Sequence, residues 1–145
     1  MNHIQEYWTE SSENYSKVID REYLGDEHEA WKKFILSEIG EGELNILDIG
    51  TGPGFFTLIL SSDKRKVTGI DLTEAMVEQA REKLKKNNVN AQILAMDCQN
   101  TTFEDETFDV IICRNLVWTL SDPGKAYKEW YRLLKKGGRL LVFDG

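Results

Sequence analysis

The fold is decided by the stretch Leu44–Gly54, which reads LNILDIGTGPG. An apolar run that ends in an acidic residue and three alternating glycines is typical of a buried strand that turns directly into a helix, here from Phe55. Glycine permits a tight turn and lets a ligand approach the backbone without a Cβ in the way. The pattern predicts a ligand-binding loop at residues 50–54, although a purely structural turn could carry one or two of these glycines.

Short apolar runs alternate with helical patterns on both sides of this stretch. The predicted elements are a helix at about 26–39 that Gly40 and Gly42 stop, the strand 44–50, a short helix 55–60, a strand 66–71, a helix 74–86, strands 91–96 and 108–113, a helix from Pro123 to Leu134 with Asp122 as N-cap and Lys135–Gly138 closing it, and a strand 139–144. Because the strands are apolar enough to be buried on both faces, the order predicts an α/β fold with a doubly wound, mainly parallel sheet.

Two segments of different character follow from this division. Residues 1–43 are predicted to form an N-terminal helical segment or lid, and residues 44–145 a ligand-binding domain. The last strand, with Leu140–Phe143 strongly apolar, is expected at or near the sheet edge, where an exposed apolar strand invites aggregation. We therefore expect further strands to follow in a longer parent protein, or another chain to cover this edge.

Composition limits the classes of partner. The 145 residues suffice for one domain, and 25 acidic against 18 basic residues give a formal net charge of -7. This charge argues against nucleic acid or an anionic membrane as the main partner. No run of 18 apolar residues and no signal peptide is visible, which predicts a cytoplasmic protein without membrane insertion. Cys98 and Cys113 with His3 and His28 form no metal-binding pattern, so we predict no metal and two reduced cysteines.

Acidic residues also end the second and third strands. Asp71 lies 21 residues after Gly50, where a carboxylate can accept both hydroxyls of a ribose, although Asp71 or Thr73 could instead only cap the next helix. Asp97 could accept the exocyclic amine of an adenine while the backbone N–H of Cys98 meets a ring nitrogen. The alternative is that Asp97 merely begins a solvated loop.

The chain contains, in order, the segments LDIGTGPG, GID, MDC, FDVIICRNLVWTL and LLKKGGRLLVFD. Over roughly residues 44–144 it resembles the class I S-adenosylmethionine-dependent methyltransferases, particularly the small-molecule branch that includes ubiquinone- and menaquinone-biosynthesis enzymes. The resemblance implies a Rossmann-like sheet of order 3-2-1-4-5, S-adenosyl-L-methionine as cofactor, S-adenosyl-L-homocysteine as product, and a small-molecule methyl acceptor. The family's two final strands, whose loops often help build the acceptor pocket, have no counterpart here.

The resemblance also assigns roles to single positions. The cofactor positions are Asp48, Gly50, Gly52 and Gly54 for the methionine part, Asp71 for the ribose, Leu72 and Met76 for the adenine face, Asp97 and Cys98 for the adenine edge, and Arg114 and Asn115 for the methionine amino group. Leu116 and Trp118 would line the acceptor side, and Tyr15 would belong to an N-terminal lid.

Other functions stay open at this point. An NAD-dependent oxidoreductase would show GxGxxG, whereas here Gly54 comes one step early and Phe55 follows it. A non-catalytic S-adenosylmethionine-binding subunit or regulatory module would keep the same glycines and acids. An aminopropyl transferase would need acidic groups where Arg114 stands. An oxygen or carbon acceptor would also need a general base, for which His3 and His28 are candidates by residue type alone.

Overall fold

The structure is a computed structural model, and it describes residues 27–114 and 116–143, without the side chains of Glu27 and Trp118. Its elements, in chain order, are α1 (Glu27–Ile39), β1 (Leu44–Ile49), α2 (Phe55–Leu60), β2 (Arg65–Asp71), α3 (Glu74–Lys86), β3 (Gln92–Ala95), β4 (Phe108–Arg114), a 3₁₀ turn (Val117–Thr119), α4 (Pro123–Leu133) and β5 (Leu134–Phe143).

The five strands form one parallel sheet in the order β3-β2-β1-β4-β5. The predicted α/β class and strand order are confirmed, and β5 lies at the sheet edge as expected. Because all strands point the same way, their carboxyl ends lie at the same end of the sheet. The strand order reverses between β1 and β4. Ligands of open α/β sheets bind at such a switch point.

Two apolar clusters cover the two faces of the sheet. Along β1, Ile46 packs with Ile35 of α1 and the residues of α2, whereas Leu47 and Ile49 pack with Trp130 of α4. Successive side chains of a strand point to opposite faces, so α1 and α2 cover one face and α4 covers the other. A third cluster joins α3 to α2 and β3. The central strand is therefore buried on both sides, and its end is held firmly in place.

The ends of the helices agree with the sequence in most places. Gly40 follows α1 with a φ of 79°, and its N–H donates to Leu36 O at 2.9 Å. Asp122 caps α4 as predicted, since its side chain accepts from Lys125 N at 3.1 Å. Thr73 caps α3 by accepting from Met76 N at 3.3 Å. One large apolar side chain of α1, that of Phe34, is 49% exposed.

The predicted end of α4 is wrong. Leu134 is extended rather than helical and already pairs with Phe108 of β4, so β5 begins there and Lys135–Gly138 do not close the helix. A Cβ on Gly138 would lie 3.0 Å from Asp109 O. Gly138 therefore permits a close approach of β5 to β4 at the irregular start of their pairing, and strand pairing replaces the expected helix cap.

Candidate functional site

The loop between β1 and α2 is the centre of the candidate site. Gly50, Gly52 and Gly54 have φ angles of 66°, 55° and 92°, a region that residues with a Cβ rarely adopt. A Cβ on Gly50 would also lie 3.0 Å from Leu116 Cδ1. The loop thus needs glycine for its backbone path, and at Gly50 for close approach as well. The same contact places Leu116, predicted on the acceptor side, directly against this loop.

Asp48 lies beneath the loop, near the carboxyl end of β1, and is only 2% exposed. Its Oδ2 accepts hydrogen bonds from Thr51 Oγ1 at 2.7 Å and Thr57 Oγ1 at 2.8 Å. Burial nevertheless raises the pKa of Asp48 from 3.8 to about 6, against the lowering by these hydroxyls, and the nearby carboxylate of Asp71 adds to the rise. Near neutral pH the site therefore holds a buried negative charge that a cationic ligand would stabilise.

Asp71 ends β2 and holds the glycine loop. Its Oδ2 accepts from Gly52 N at 3.0 Å, and its Oδ1 accepts from Thr73 N at 3.2 Å. Burial raises the pKa of Asp71, while the hydrogen bonds from Thr73 and Gly52 lower it. Oδ1 also accepts from Thr73 Oγ1 at 3.5 Å, so Oδ2 is the oxygen that keeps a lone pair for a ligand hydroxyl. Thr73 caps α3, and the Asp71 carboxylate holds both the glycine loop and Thr73.

The predicted adenine positions lie on the same edge. Met76 of α3 is fully buried and Leu72 is half-buried. Asp71 pairs with Ala95 of β3, so Asp97 follows β3 at the level of the loop. Asp97 is exposed, and Cys98 is a free, half-buried thiol whose pKa burial raises to about 12, with the Asp97 charge contributing. Cys98 is therefore a neutral side chain and not a nucleophile.

Arg114 ends β4 among aromatic rings. Its Cζ lies 5.4 Å from the ring centroid of Trp31, 5.1 Å from that of Phe55 and 5.7 Å from that of Phe56. Phe143 at the end of β5 packs edge-on to Trp31 at 5.1 Å. A guanidinium over aromatic faces at these distances is a favourable cation–π arrangement. The arrangement joins α1 to the carboxyl ends of β4 and β5.

Several predicted positions lie outside the described residues, namely Tyr15, Asn115, His3 and the side chain of Trp118. The other histidine, His28, lies in the first turn of α1 with Nε2 3.1 Å from Glu29 Oε1.

Sequence reasoning missed Thr51 and Thr57, whose hydroxyls hold the Asp48 carboxylate and lie 3.2 Å from each other. Thr57 carried a signal, because it is the one polar residue in the otherwise apolar helix Phe55–Leu60 and is fully buried. A buried hydroxyl in such a helix needs a hydrogen-bond partner, and the acid at the end of the preceding strand is the nearest candidate along the chain.

The described part of the chain contains neither a helix that could span a membrane nor a group of residues that could bind a metal. None of its helices combines the length and the apolar character that crossing a membrane requires. Among those same residues, no three His, Cys, Asp or Glu side chains are grouped so that they could hold a metal ion.

Comparison with known proteins gives a family match and relatives. The family model described as "Methyltransferase domain" matches residues 47–142. The ubiquinone/menaquinone biosynthesis C-methyltransferase UbiE of Escherichia coli is 34% identical over 124 residues, which are 81% of this chain and 49% of that protein. The chain therefore spans about half the length of the curated relatives it matches.

Solved structures agree with the fold. A SAM-dependent methyltransferase from Aquifex aeolicus is 32% identical, with a TM-score of 0.70 over 83% of this chain and 67% of that one. A protein from Methanococcus maripaludis, described as a candidate S-adenosyl-L-methionine-dependent methyltransferase, has a TM-score of 0.87 at 24% identity, covering 100% of this chain and 66% of that one. The second likeness concerns the fold alone.

Proposed function

This chain belongs to the methyltransferase-domain family, and from that premise we propose that it binds S-adenosyl-L-methionine and transfers the methyl group to a small-molecule acceptor. S-adenosyl-L-methionine is the cofactor of the class I methyltransferases that the chain resembles. The observation that carries the proposal is the bond from Gly52 N to Asp71 at the strand switch point, directly beside the buried carboxylate of Asp48.

The chemistry of these groups fits the cofactor. Asp71 can accept one ribose hydroxyl at Oδ2 and a second at Oδ1 in place of the 3.5 Å bond from Thr73 Oγ1, and Asp48 supplies negative charge for a ligand that carries a sulfonium and an ammonium group. The glycines leave the loop backbone without Cβ atoms where the methionine part would lie. At Gly50 the missing Cβ also makes room for Leu116. The half-buried Leu72 supplies apolar surface for the adenine face, whereas Met76 is fully buried and presents none, and Asp97 supplies an acceptor for the adenine edge.

When bound, S-adenosyl-L-methionine supplies a methyl group that its positive sulfur already activates. The residues of the chain then need to align the acceptor with the methyl carbon and exclude water, and alignment of this kind contributes about 7–11 kcal/mol in well-oriented reactions. Leu116, packed on the glycine loop, is positioned to exclude water from the acceptor side of the loop. With the cofactor bound, transfer would be an in-line displacement in which the methyl–sulfur bond breaks as the methyl–acceptor bond forms. The sulfur would keep the electron pair as S-adenosyl-L-homocysteine, and the acceptor would release a proton to solvent.

We assign the acceptor side to the carboxyl ends of β4 and β5. Support comes from the partly exposed rings of Trp31, Phe34 and Phe143, which gather near Arg114 at this end of the sheet. Flat rings and a cation suit a planar, electron-rich acceptor. The relative UbiE is named for ubiquinone and menaquinone biosynthesis, which is in line with a ring-bearing small molecule.

The division of the chain into two parts belongs to the same proposal. Residues 1–43 would form the N-terminal segment over the acceptor side, and residues 44–145 the cofactor-binding domain. The contact of Trp31 with Phe56 and Phe143 supports this, because it brings α1 to that end of the sheet. A cytoplasmic location stays a prediction.

Isothermal titration tests the cofactor assignment. S-adenosyl-L-methionine and S-adenosyl-L-homocysteine should bind the wild-type chain, and NAD should give no heat. Asp71→Ala should weaken binding by tenfold or more, because the ribose hydroxyls lose their acceptor and the glycine loop loses the hydrogen bond from Gly52 N to Asp71. Asp63→Ala is the matched control, since Asp63 is exposed before β2, at the opposite edge of the sheet. Binding of NAD, or unchanged affinity in Asp71→Ala, would overturn the assignment.

A methyl-transfer assay tests the reaction. The wild-type chain is incubated with methyl-labelled cofactor and a panel of phenols, quinols and amines, and labelled product is separated from cofactor. Transfer to one class identifies the acceptor. Tight cofactor binding without transfer to any class would favour the alternative of a non-catalytic S-adenosylmethionine-binding module.

A further inference from the structure

The segment after β3 is held in place by α4, on the face of the sheet away from the glycine loop's helix. Three consecutive residues, Asp97, Cys98 and Gln99, each take part in a hydrogen bond that fixes the segment. Gln99 N donates to Asp97 Oδ1 at 2.9 Å, and the indole Nε1 of the fully buried Trp130 donates to Cys98 O at 3.1 Å. The backbone of this short segment is therefore fixed although Asp97 itself is exposed.

The side chain of Gln99 hydrogen-bonds this segment to the two residues that directly precede α4. Its side-chain Oε1 accepts from Asp122 N at 2.9 Å, and its Nε2 donates to Ser121 Oγ at 3.2 Å. The same residue thus holds the Asp97 carboxylate with its backbone N–H and is itself held by its side-chain amide. An exposed aspartate has no packing to fix its rotamer, so these bonds decide where its oxygens point.

A purely structural role has to be separated from this one. Asp122 is the N-cap of α4, and an amide side chain that accepts from the N-cap N–H is a recognised way to stabilise a helix start. If stabilising the helix were the whole role, removing the Gln99 side chain would lower stability and would not alter which base the protein prefers. Base preference is therefore the property that distinguishes the two roles.

We propose that Gln99 is a positioning residue that aims the Asp97 carboxylate at the exocyclic amine of adenine and so sets a preference for adenine over hypoxanthine. The inference rests on the proposed function, because it needs an adenine-bearing cofactor at this edge. Hypoxanthine carries a carbonyl oxygen in place of the amine, and two acceptors facing each other leave both without a donor. Its ring N1 also becomes a donor, so the backbone N–H of Cys98 contributes a separate share of the discrimination.

The test compares two ligands by isothermal titration with the 145-residue chain, S-adenosyl-L-homocysteine and S-inosyl-L-homocysteine. We expect the wild-type chain to prefer the adenine ligand by tenfold or more. In Gln99→Ala the affinity for the adenine ligand should fall by about three- to tenfold while that for the inosine ligand changes by less than about twofold, because only the first uses the aimed carboxylate. Gln99→Glu should keep the preference, because its carboxylate can still accept from Asp122 N.

Two further variants complete the design. Asn100→Ala is the matched control, since it removes an exposed amide side chain one residue further on and should leave both affinities unchanged. Ser121→Ala removes the contacts of the Ser121 hydroxyl with the Gln99 amide, at 3.2 and 3.4 Å, and leaves the bond from Asp122 N. It should reduce the preference for the adenine ligand over the inosine ligand, even if Gln99→Ala fails to fold.

The outcomes separate the two claims. An unchanged ratio of affinities in Gln99→Ala and Ser121→Ala, or equal losses for both ligands, would overturn the role of Gln99 while leaving cofactor binding intact. A wild-type chain that binds both ligands equally would overturn it as well. A wild-type chain that binds neither would overturn the proposed function and this inference together.

Discussion

Asp48→Asn should change how the stability of the ligand-free protein depends on pH. The carboxyl has its pKa raised from 3.8 to about 6 by burial, so between these values the folded chain holds a proton that the unfolded chain has released. The stabilising contribution of this proton is fully present below about pH 4 and is lost as pH rises through about 6. Since each tenfold change in an equilibrium constant is worth about 1.4 kcal/mol, the loss amounts to about 3 kcal/mol.

The assay is urea-induced unfolding of wild type and Asp48→Asn at pH 4, 5, 6 and 7. Asparagine is uncharged throughout and its side-chain oxygen can accept from Thr51 and Thr57, so the variant should lack this contribution. Since part of the titration lies outside this range, the difference between the two free energies of unfolding should move by about 2.4 kcal/mol in favour of the variant from pH 4 to pH 7. Carboxyl groups far from Asp48 titrate in both proteins and cancel in the difference, whereas Asp71 interacts with the Asp48 charge and contributes to it.

Two results would refute the reasoning. A difference that stays constant from pH 4 to pH 7 would mean that Asp48 has an ordinary pKa and that its burial carries no penalty. A difference that moves towards the wild type with rising pH would mean that the hydrogen bonds of Thr51 and Thr57 outweigh desolvation. In either case Asp48 would still be an anion near neutral pH, but its burial would carry no penalty for a cationic ligand to relieve.

Two more predictions concern the glycine loop at residues 50–54 and the aromatic rings around Arg114. Gly50→Ala and Gly137→Ala both force a Cβ residue into positive φ, which costs about 1–2 kcal/mol, but only at Gly50 does the new Cβ meet Leu116, at 3.0 Å. Urea unfolding should therefore show a clearly larger loss for Gly50→Ala, and equal losses would contradict the close approach. Arg114→Met should lower the free energy of unfolding by about 1 kcal/mol through loss of the cation over Trp31, with Arg114→Lys restoring part of it. Wild-type stability in Arg114→Met would show that the cation contributes nothing there.

The fold was predictable because its signals are local and repeated. The sequence LNILDI followed by alternating glycines predicts a buried strand and a tight turn, and the apolar spacing of Met76, Val77, Ala80 and Leu84 predicts α3, whose buried face they form. The strand order came from the resemblance, which the family match confirms. The prediction for the end of α4 was wrong because the pairing of Leu134 with Phe108 depends on a residue 26 positions away, and no local sequence pattern contains that information.

The candidate site was predictable in its position but not in its internal bonds. Strand ends of a parallel sheet share one edge, so Asp48, Asp71 and Asp97 had to approach each other once the strands were found. The hydrogen bond from Asp122 N to Gln99 Oε1 joins residues 23 positions apart and depends on how α4 packs on the sheet. Periodicity reports burial and not the partners of polar groups, so such bonds lie beyond what a single sequence contains.

The two buried acids of the site, Asp71 and Asp48, differ in their hydrogen-bond donors and in the effect of their charge on stability. Asp71 accepts from backbone N–H groups of Gly52 and Thr73, so replacing it would strand donors that belong to the loop and the start of α3. Asp48 accepts from the hydroxyls of Thr51 and Thr57 and from the backbone of Thr57, and the burial of its charge lowers the stability of the empty protein. A buried carboxylate that costs stability near neutral pH is explained by a ligand whose positive charge relieves its burial. Asp48→Asn should accordingly bind S-adenosyl-L-methionine more weakly while unfolding at higher urea, the opposing change in stability and affinity that a site built for its ligand produces.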